Sequence, residues 1–466
     1  MTELISLITA KPNWENKIND VTIVNKWKDE LKTQGVKSIF LDLVIDLLRN
    51  YKNSHNKHYN DIDSYQWVID IDNDQNEFGI ADECDCQCNI CQGKEYLDDS
   101  DYESFDEDAD DEREDIECKC TLVKLENKKR EFLHKYVSFT DHLIDETSKS
   151  LFKQQVEKLE QRLPIDYHPG SNNQVIDLVH PSMFCYVKGV TQTRVKMDDN
   201  VLFQWLPSEF NIKDGKVKIN SYINNLDPLV DSDLYDSIAN IFAKFVPQFE
   251  QVLSTLHVNG KIDHYQSLTE CQVIVKLANM VLTPNAPIFP PGSWHLEGLP
   301  YEKIVATGIY YYEMNNITPN TLNFRSTMTR IDTVEYPQDS PLYVETHYGF
   351  EGEVEDNDRK NQGTIINLGE IETKEDRCLV FPNFLQHQVS SFTLQNNTKI
   401  GTRKILVFFL INPATKILST KDVKPQQDLI PLAEAKIYRE LLMFQRKYEI
   451  SDQNSFFERG WSLCEH

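Results

Sequence analysis

From about residue 166 to 427 the chain breaks into short β-branched and aromatic runs, such as KVKINSYI, KIVATGIYYY, TLNFRST, RCLVF and KILVFFLI, separated by Gly, Pro, Asn and Asp turns. Runs of this kind read as strands, and they predict a β-rich domain with helices such as Leu234 to Leu256 packed on one side. The flanks carry a different period. Val24, Trp27 and Leu31, then Ile39, Leu43 and Leu47, recur at three- and four-residue spacing, as amphipathic helices require. A further helix is expected from Asp145 to Leu163, with Leu151, Val156, Leu159 and Leu163 near helical spacing and Pro164 as its stop. The segment Leu432 to Tyr448 should be a terminal helix docked on the domain.

The expected organisation is therefore a helical N-terminal region (1–79), a Cys-rich acidic insertion (80–120), a helical connector (121–165), the β-rich domain (166–427) and a C-terminal helix (428–466). With 466 residues, 40% of them apolar, the chain can bury a sizeable core. No signal-peptide pattern opens it and no 18-residue apolar run follows, so an intracellular protein, cytoplasmic or nuclear and without membrane association, is expected. A net charge of -26 argues against nucleic acid as a partner, because phosphate neutralisation needs clustered Lys and Arg.

Much of that charge is local. Residues 98–117, DDSDYESFDEDADDEREDIE, hold one basic residue, Arg113, and too few apolar side chains to offset the entropy of ordering them. A solvated, disordered segment is the simpler reading; a docking segment for a basic protein partner is the sharper one. Cys84, Cys86, Cys88 and Cys91 precede this run, and Cys118 and Cys120 follow it. Two close pairs separated by a loop suit a tetrahedral site, so Cys88, Cys91, Cys118 and Cys120 are the candidate ligands of a structural Zn(II), with a free-thiol or redox-sensitive loop as the alternative. Cys185, Cys271, Cys378 and Cys464 read as ordinary buried thiols.

The residues that suggest chemistry are His295 and Glu297, two apart, so that on a strand they leave the same face. Pro290, Pro291 and Gly292 before them, with Gly298 and Pro300 after, place the pair at a strand end or tight turn. An imidazole and a carboxylate suit a cation such as Fe(II), and a third ligand would complete a 2-His-1-carboxylate set with open positions. His387 and His347 compete for that role. His387 is favoured because Arg403 opens the strand KILVFFLI beyond it, whereas the first Arg after His347 is Arg359, in a polar stretch. A guanidinium at Arg403 suits the distal carboxylate of 2-oxoglutarate through two parallel hydrogen bonds. Tyr310 and Tyr312 are weaker cofactor-binding candidates, and packed core aromatics are the competing explanation. Tyr222, Asn224, Asn225 and Arg325 are weak substrate candidates, while His168 and His180, beside prolines, read as structural.

Five long segments carry a resemblance: DYHPGSNNQVIDLVHPSMF from Asp166, VLFQWLPSEFNIKDGKVKINSYINNLDP from Val201, WHLEGLPYEKIVATGIYYYEMNNIT from Trp294, LVFPNFLQHQVSSFTL from Leu379, and GTRKILVFFLINPATKILST from Gly401. Together they resemble a largely fungal family catalogued as domain of unknown function 4246, closely over about 166–427 and more loosely over the N-terminal helices. The resemblance implies an α+β fold with a double-stranded β-helix, or jelly-roll, cupin-like core and flanking helices. It implies an iron(II)- and 2-oxoglutarate-dependent oxygenase of unspecified substrate, the alternative being a cupin-like protein that binds a metal or small acid without turnover. In the pattern of that superfamily His295, Glu297 and His387 match the metal ligands and Arg403 the cosubstrate anchor. Glu297 stands where Asp is commoner, and its extra methylene shifts the carboxylate.

Overall fold

The computed structural model describes residues 2–55, 119–258, 262, 267–327, 349–356 and 359–461. The N-terminal helices are α1 (Thr2–Thr9), α2 (Trp14–Lys17), α3 (Val21–Lys32) and α4 (Ser38–His55). Asp20 starts α3 by accepting from the backbone N–H groups of Thr22 and Ile23, at 2.9 and 3.2 Å, and the helix buries Val24, Trp27 and Leu31. Next come α5 (Lys119–Tyr136), α6 (Glu146–Arg162), α7 (Ser232–Val258) and α8 (Leu432–Phe457). Asp145 caps α6 through Ser148 N–H, and the helix ends just short of Pro164. Its buried apolar face is Phe152, Val156 and Leu159, while Leu151 points to solvent.

The strands are β1 (Ser138–Asp141), β2 (Val175–Val179), β3 (Tyr186–Val187), β4 (Phe203–Gln204), β5 (Ser208–Lys213), β6 (Lys216–Ile219), β7 (Glu270–Leu282), β8 (Ile288–Phe289) and β9 (Ile304–Asn315). They continue with β10 (Asn320–Thr327), β11 (Glu351–Asp356), β12 (Arg359–Thr373), β13 (Arg377–Pro382), β14 (Gln386–Val389), β15 (Phe392–Thr393), β16 (Gly401–Ile411) and β17 (Gly460–Trp461). The described residues fall in two compact units. The first draws on residues 2–55, 136–258, 262, 267–323 and 370–456, the second on residues 119–135, 324–327, 349–356, 359–369 and 457–461.

In the first unit the large sheet runs β1-β13-β9-β16-β7-β5-β6, with β2 beside β7. Its centre, β13-β9-β16-β7, is antiparallel throughout. Between these strands the chain visits a second layer: β8 pairs with β15, and β14 lies next to β10 and then β12. From β7 to β16 the chain thus repeatedly leaves the large sheet for two smaller ones, one holding β8 and β15 and the other β10 and β14, and returns to it, the strand order of a double-stranded β-helix with flanking helices, an α+β fold. In the second unit β11 pairs with β12, β17 joins β12 at Gln362 and Gly363, and Arg325 donates to Glu458 at 2.8 Å.

Strand periodicity sorts the large sheet into two faces. Tyr312 and Phe408 face helices, Tyr312 edge-on to Phe152 of α6 and Phe408 against Phe242 and Phe245 of α7. Gly308 makes that approach possible, since a Cβ there would sit 2.8 Å from Phe249 and 3.0 Å from Phe245. The alternate residues Arg403, Ile405, Val407 and Phe409 face the other way, where Arg403 meets the Phe392 ring of β15 and Phe409 the Trp205 ring. Buried Cys185 and Cys271 have thiols pushed up to about 12 by burial. Cys84, Cys86, Cys88, Cys91, Cys118, Cys464, His347 and the acidic run 98–117 lie outside the described residues, and Cys120 sits in the first turn of α5. No helix among the described residues is long and apolar enough to cross a membrane.

Candidate metal centre

His295 and His387 lie opposite one another in an isolated antiparallel bridge, exchanging backbone hydrogen bonds of 3.2 and 3.1 Å. Opposed residues project to the same side, and the two rings sit 4.4 Å apart. Glu297, two residues beyond His295, brings Oε1 to 3.7 Å from His295 Nε2 and 3.4 Å from His387 Nε2. The three side chains are 29%, 18% and 5% exposed for His295, Glu297 and His387, so the centre is sunk but reachable.

Each ligand is held from behind. The Ser293 carbonyl lies 2.7 Å from His295 Nδ1. A carbonyl can only accept, so Nδ1 carries the hydrogen and Nε2 presents a lone pair to the Glu297 carboxylate. A lone pair facing an anion calls for a cation between them, a proton or a metal. His387 packs its ring on Phe381 at 4.7 Å. Asn383 clamps the Glu297 backbone in both directions, accepting from its N–H at 2.8 Å and donating to its carbonyl at 2.9 Å. Gln453 of α8 accepts from Leu296 N–H at 3.1 Å. Neither Asn383 nor Gln453 was expected; the adjacency of Asn383 to the strand RCLVFP is the one sequence signal for it.

The electrostatics agree with a cation site. Burial works against the charge on Glu297, but hydrogen bonding to His295 and His387 outweighs it and holds the carboxyl well below its usual range. Burial likewise opposes a charged His295, but Glu297 wins and raises it, whereas burial and the neighbouring His295 charge lower His387. Donor atoms of all three residues lie within 4.8 Å of one another, a set of two imidazoles and one carboxylate that could hold a metal ion.

Arg403, on β16 in register with Met280 and Met314, is 2% exposed. Its guanidinium lies 5.0 Å from the Tyr311 ring and 5.8 Å from the Phe392 ring, with Nη1 2.9 Å from Met280 Sδ. Nε has no hydrogen-bond partner, and no described carboxylate reaches ion-pair distance. A buried cation left this way is costly unless an anion joins it.

Tyr310 and Tyr312 occupy the helix-facing side of β9: Tyr310 donates to Asp376 Oδ1 at 3.3 Å and Tyr312 to Asn279 Oδ1 at 3.2 Å. Tyr311 between them is the one that meets Arg403. Tyr222 donates to the Lys424 carbonyl at 2.9 Å, and Asn224 to that of Met183 at 2.7 Å. Asn225 takes a left-handed φ of 65° and, with Asp177 and Phe184, lines a cavity of about 230 Å³. Arg325 belongs to the second unit.

His168, Asp177 and His180 form a second close group. Here Nδ1 of each histidine and one Asp177 oxygen have protein partners, while Asp177 Oδ1 has none. His168 Nδ1 is 2.9 Å from Asp177, His180 Nδ1 accepts from Ser182 N–H at 3.2 Å, and Arg439 approaches Asp177 to 3.8 Å. These contacts fit the structural role expected of both histidines.

On α8, one turn from both Arg446 and Gln453, Glu449 is raised to about 7 by burial and by Asp452. The native state therefore holds a proton that the unfolded chain releases near 4.5. This contribution is full below that value and lost as pH rises through about 7. Urea unfolding at pH 5 and pH 8 should show Glu449→Gln flattening the alkaline fall in stability by on the order of 2 kcal/mol.

The family model described as Protein of unknown function (DUF4246) matches residues 111–267 and 257–431, more than half of the chain, and its N-terminal domain model matches residues 1–30. No curated protein matches the sequence. Among solved structures, an Fe(II)/α-ketoglutarate-dependent dioxygenase, TqaL, is 10% identical, with 67% of this chain and 97% of that one covered at a TM-score of 0.31. A 2OG-Fe(II) oxygenase family oxidoreductase from Burkholderia pseudomallei is 8% identical, with 65% and 93% covered and a TM-score of 0.27. A prolyl hydroxylase from Trichoplax adhaerens, in complex with a hypoxia inducible factor peptide, is 13% identical, with 64% and 94% covered and a TM-score of 0.25. At such identities and scores, the strand order described above is what identifies the fold.

Proposed function

The chain belongs to the DUF4246 family, and we propose that this member is an iron(II)- and 2-oxoglutarate-dependent oxygenase whose metal is held by His295, Glu297 and His387. The observation that carries this reading is the convergence of two imidazole nitrogens on one Glu297 oxygen, with His295 fixed by Ser293 in the tautomer that leaves Nε2 free to ligate. Fe(II) bound there supplies the redox chemistry that couples decarboxylation of 2-oxoglutarate by molecular oxygen, to succinate and carbon dioxide, to oxidation of a substrate.

The protein's own part is positional. Asn383 and Gln453 fix the backbone of the 295–297 segment, and Phe381 holds the His387 ring. Arg403 offers a desolvated guanidinium, without an acid partner among the described residues, to the distal carboxylate of 2-oxoglutarate. The aromatic walls Tyr311 and Phe392 keep water from that ion pair.

Binding of 2-oxoglutarate to the Mn(II)-loaded protein tests this directly. Arg403→Gln should weaken it by on the order of 10- to 100-fold, with metal affinity unchanged. Equal 2-oxoglutarate affinity in the two proteins would remove Arg403 from the role.

A further inference from the structure

Lys276 lies in the apolar run VIVKLANMVL of β7, where a charged residue needs a reason. The β7–β16 register is unbroken from Leu282 to Val273, so Lys276 shares a face with Met280, four residues on, and pairs with Val407, four residues from Arg403. Met280 touches Arg403, and Phe409, two residues beyond Val407, lies on the same face. Lys276 therefore points with Arg403 toward the layer that carries the histidines. Its charge reaches His180, whose protonation it opposes, and Asp177, whose ionised form it favours.

Asp177 is the obvious counter-ion, since it pairs with Ala278 on the same face. Its Oδ2 is engaged by His168 at 2.9 Å and approached by Arg439 at 3.8 Å, and its unpartnered Oδ1 does not come within ion-pair distance of Lys276. Among the described residues, no hydrogen-bond acceptor or carboxylate lies within bonding distance of Lys276 Nζ. A partly buried ammonium in this position is suited to receive an anion.

We propose that Lys276 is a carboxylate-binding site inside the β-helix, on the sheet face it shares with Arg403, and that it holds an acid group at the reacting end of the centre. The inference rests on the oxygenase reading for the meaning of that centre. Two sources would present the same chemistry: the metal-proximal carboxylate of 2-oxoglutarate, or a carboxylate on the molecule to be oxidised. Arg403 already accounts for the distal carboxylate.

The experiment uses the full chain loaded with Zn(II), a redox-silent stand-in, and compares wild type, Lys276→Gln, Lys276→Met and Lys276→Arg, each checked for an unchanged melting profile. Calorimetry reads 2-oxoglutarate affinity, and ligand-observed NMR reads benzoate, against neutral benzamide, on the protein saturated with 2-oxoglutarate. A loss of on the order of 10-fold or more in 2-oxoglutarate affinity for the Gln and Met variants, restored by Arg, assigns the carboxylate to the cosubstrate. Unchanged 2-oxoglutarate affinity with benzoate binding lost in Gln and Met, kept in Arg and absent for benzamide, assigns it to the substrate. If neither ligand distinguishes Lys276→Gln or Lys276→Met from wild type, the proposal is overturned. The benzoate comparison is repeated on metal-free protein, so failure of the metal centre to bind Zn(II) leaves the Lys276 result readable.

Discussion

His387→Ala should remove high-affinity metal binding, lowering affinity for Fe(II) or Mn(II) by at least about 100-fold while the protein stays folded. Three observations set the size of this effect. In the proposed centre His387 supplies one of three protein ligand atoms, and losing an outer partner of a ligand alone costs about 10- to 100-fold. Its ring is nearly buried, so water replaces the imidazole poorly. The backbone bridge to His295 does not depend on the side chain, so the sheet should survive the change. Calorimetric titration of metal, with a thermal melt as control, reads both halves of the prediction; a variant that binds metal like wild type would exclude His387 as a ligand. Because protons compete for the same nitrogens, wild-type affinity should fall as pH drops through the titration of the raised His295, and acid should release the metal.

Glu302→Ala should be the most damaging single change to the fold near the site, costing about 3–5 kcal/mol. Glu302 is fully buried and accepts two hydrogen bonds from Arg446, at 2.7 and 2.6 Å, and one each from the N–H groups of Trp205 and Leu299, at 2.7 Å. The Arg446 guanidinium lies 3.6 Å from the Trp205 ring. Alanine leaves that cation and two backbone donors unpaired at once. Leu299 follows Glu297 by two residues, so metal affinity should fall together with the denaturation midpoint. Arg446→Met removes the cation but leaves Glu302 buried with its backbone donors, and should cost less than Glu302→Ala. Equal stability of Glu302→Ala and wild type would show the network to be dispensable.

The metal centre was legible in the sequence because its signals are local. The two-residue spacing of His295 and Glu297 needs only a strand or strand end, and the strand following Arg403 is visible as KILVFFLI. That His387 meets them depends on a bridge between residues 92 positions apart, His295 and His387, which the strand order explains. Tyr310 and Tyr312 show where reading by period stops. Alternation places them on one face but does not say which, and an irregularity between Lys404 and Ile405 shifts the β9 register so that Tyr311 meets Arg403. Of the groups that hold the site from a distance, Asn383 shows only by its place beside RCLVFP, and Gln453 has no local signature. The terminal helix runs to Phe457 rather than stopping near Tyr448, and its polar continuation SDQN contains the glutamine that meets Leu296.

The central claim is that this triad supports 2-oxoglutarate turnover, and the most direct measurement is succinate release by the purified full chain with Fe(II) and oxygen, with no added substrate. Succinate that requires 2-oxoglutarate, Fe(II) and oxygen together, and disappears in His295→Ala, is the predicted result. Protein that binds Fe(II) and 2-oxoglutarate through these residues yet releases no succinate, with or without a panel of small acids as substrates, would contradict it and leave a metal- and acid-binding protein without turnover.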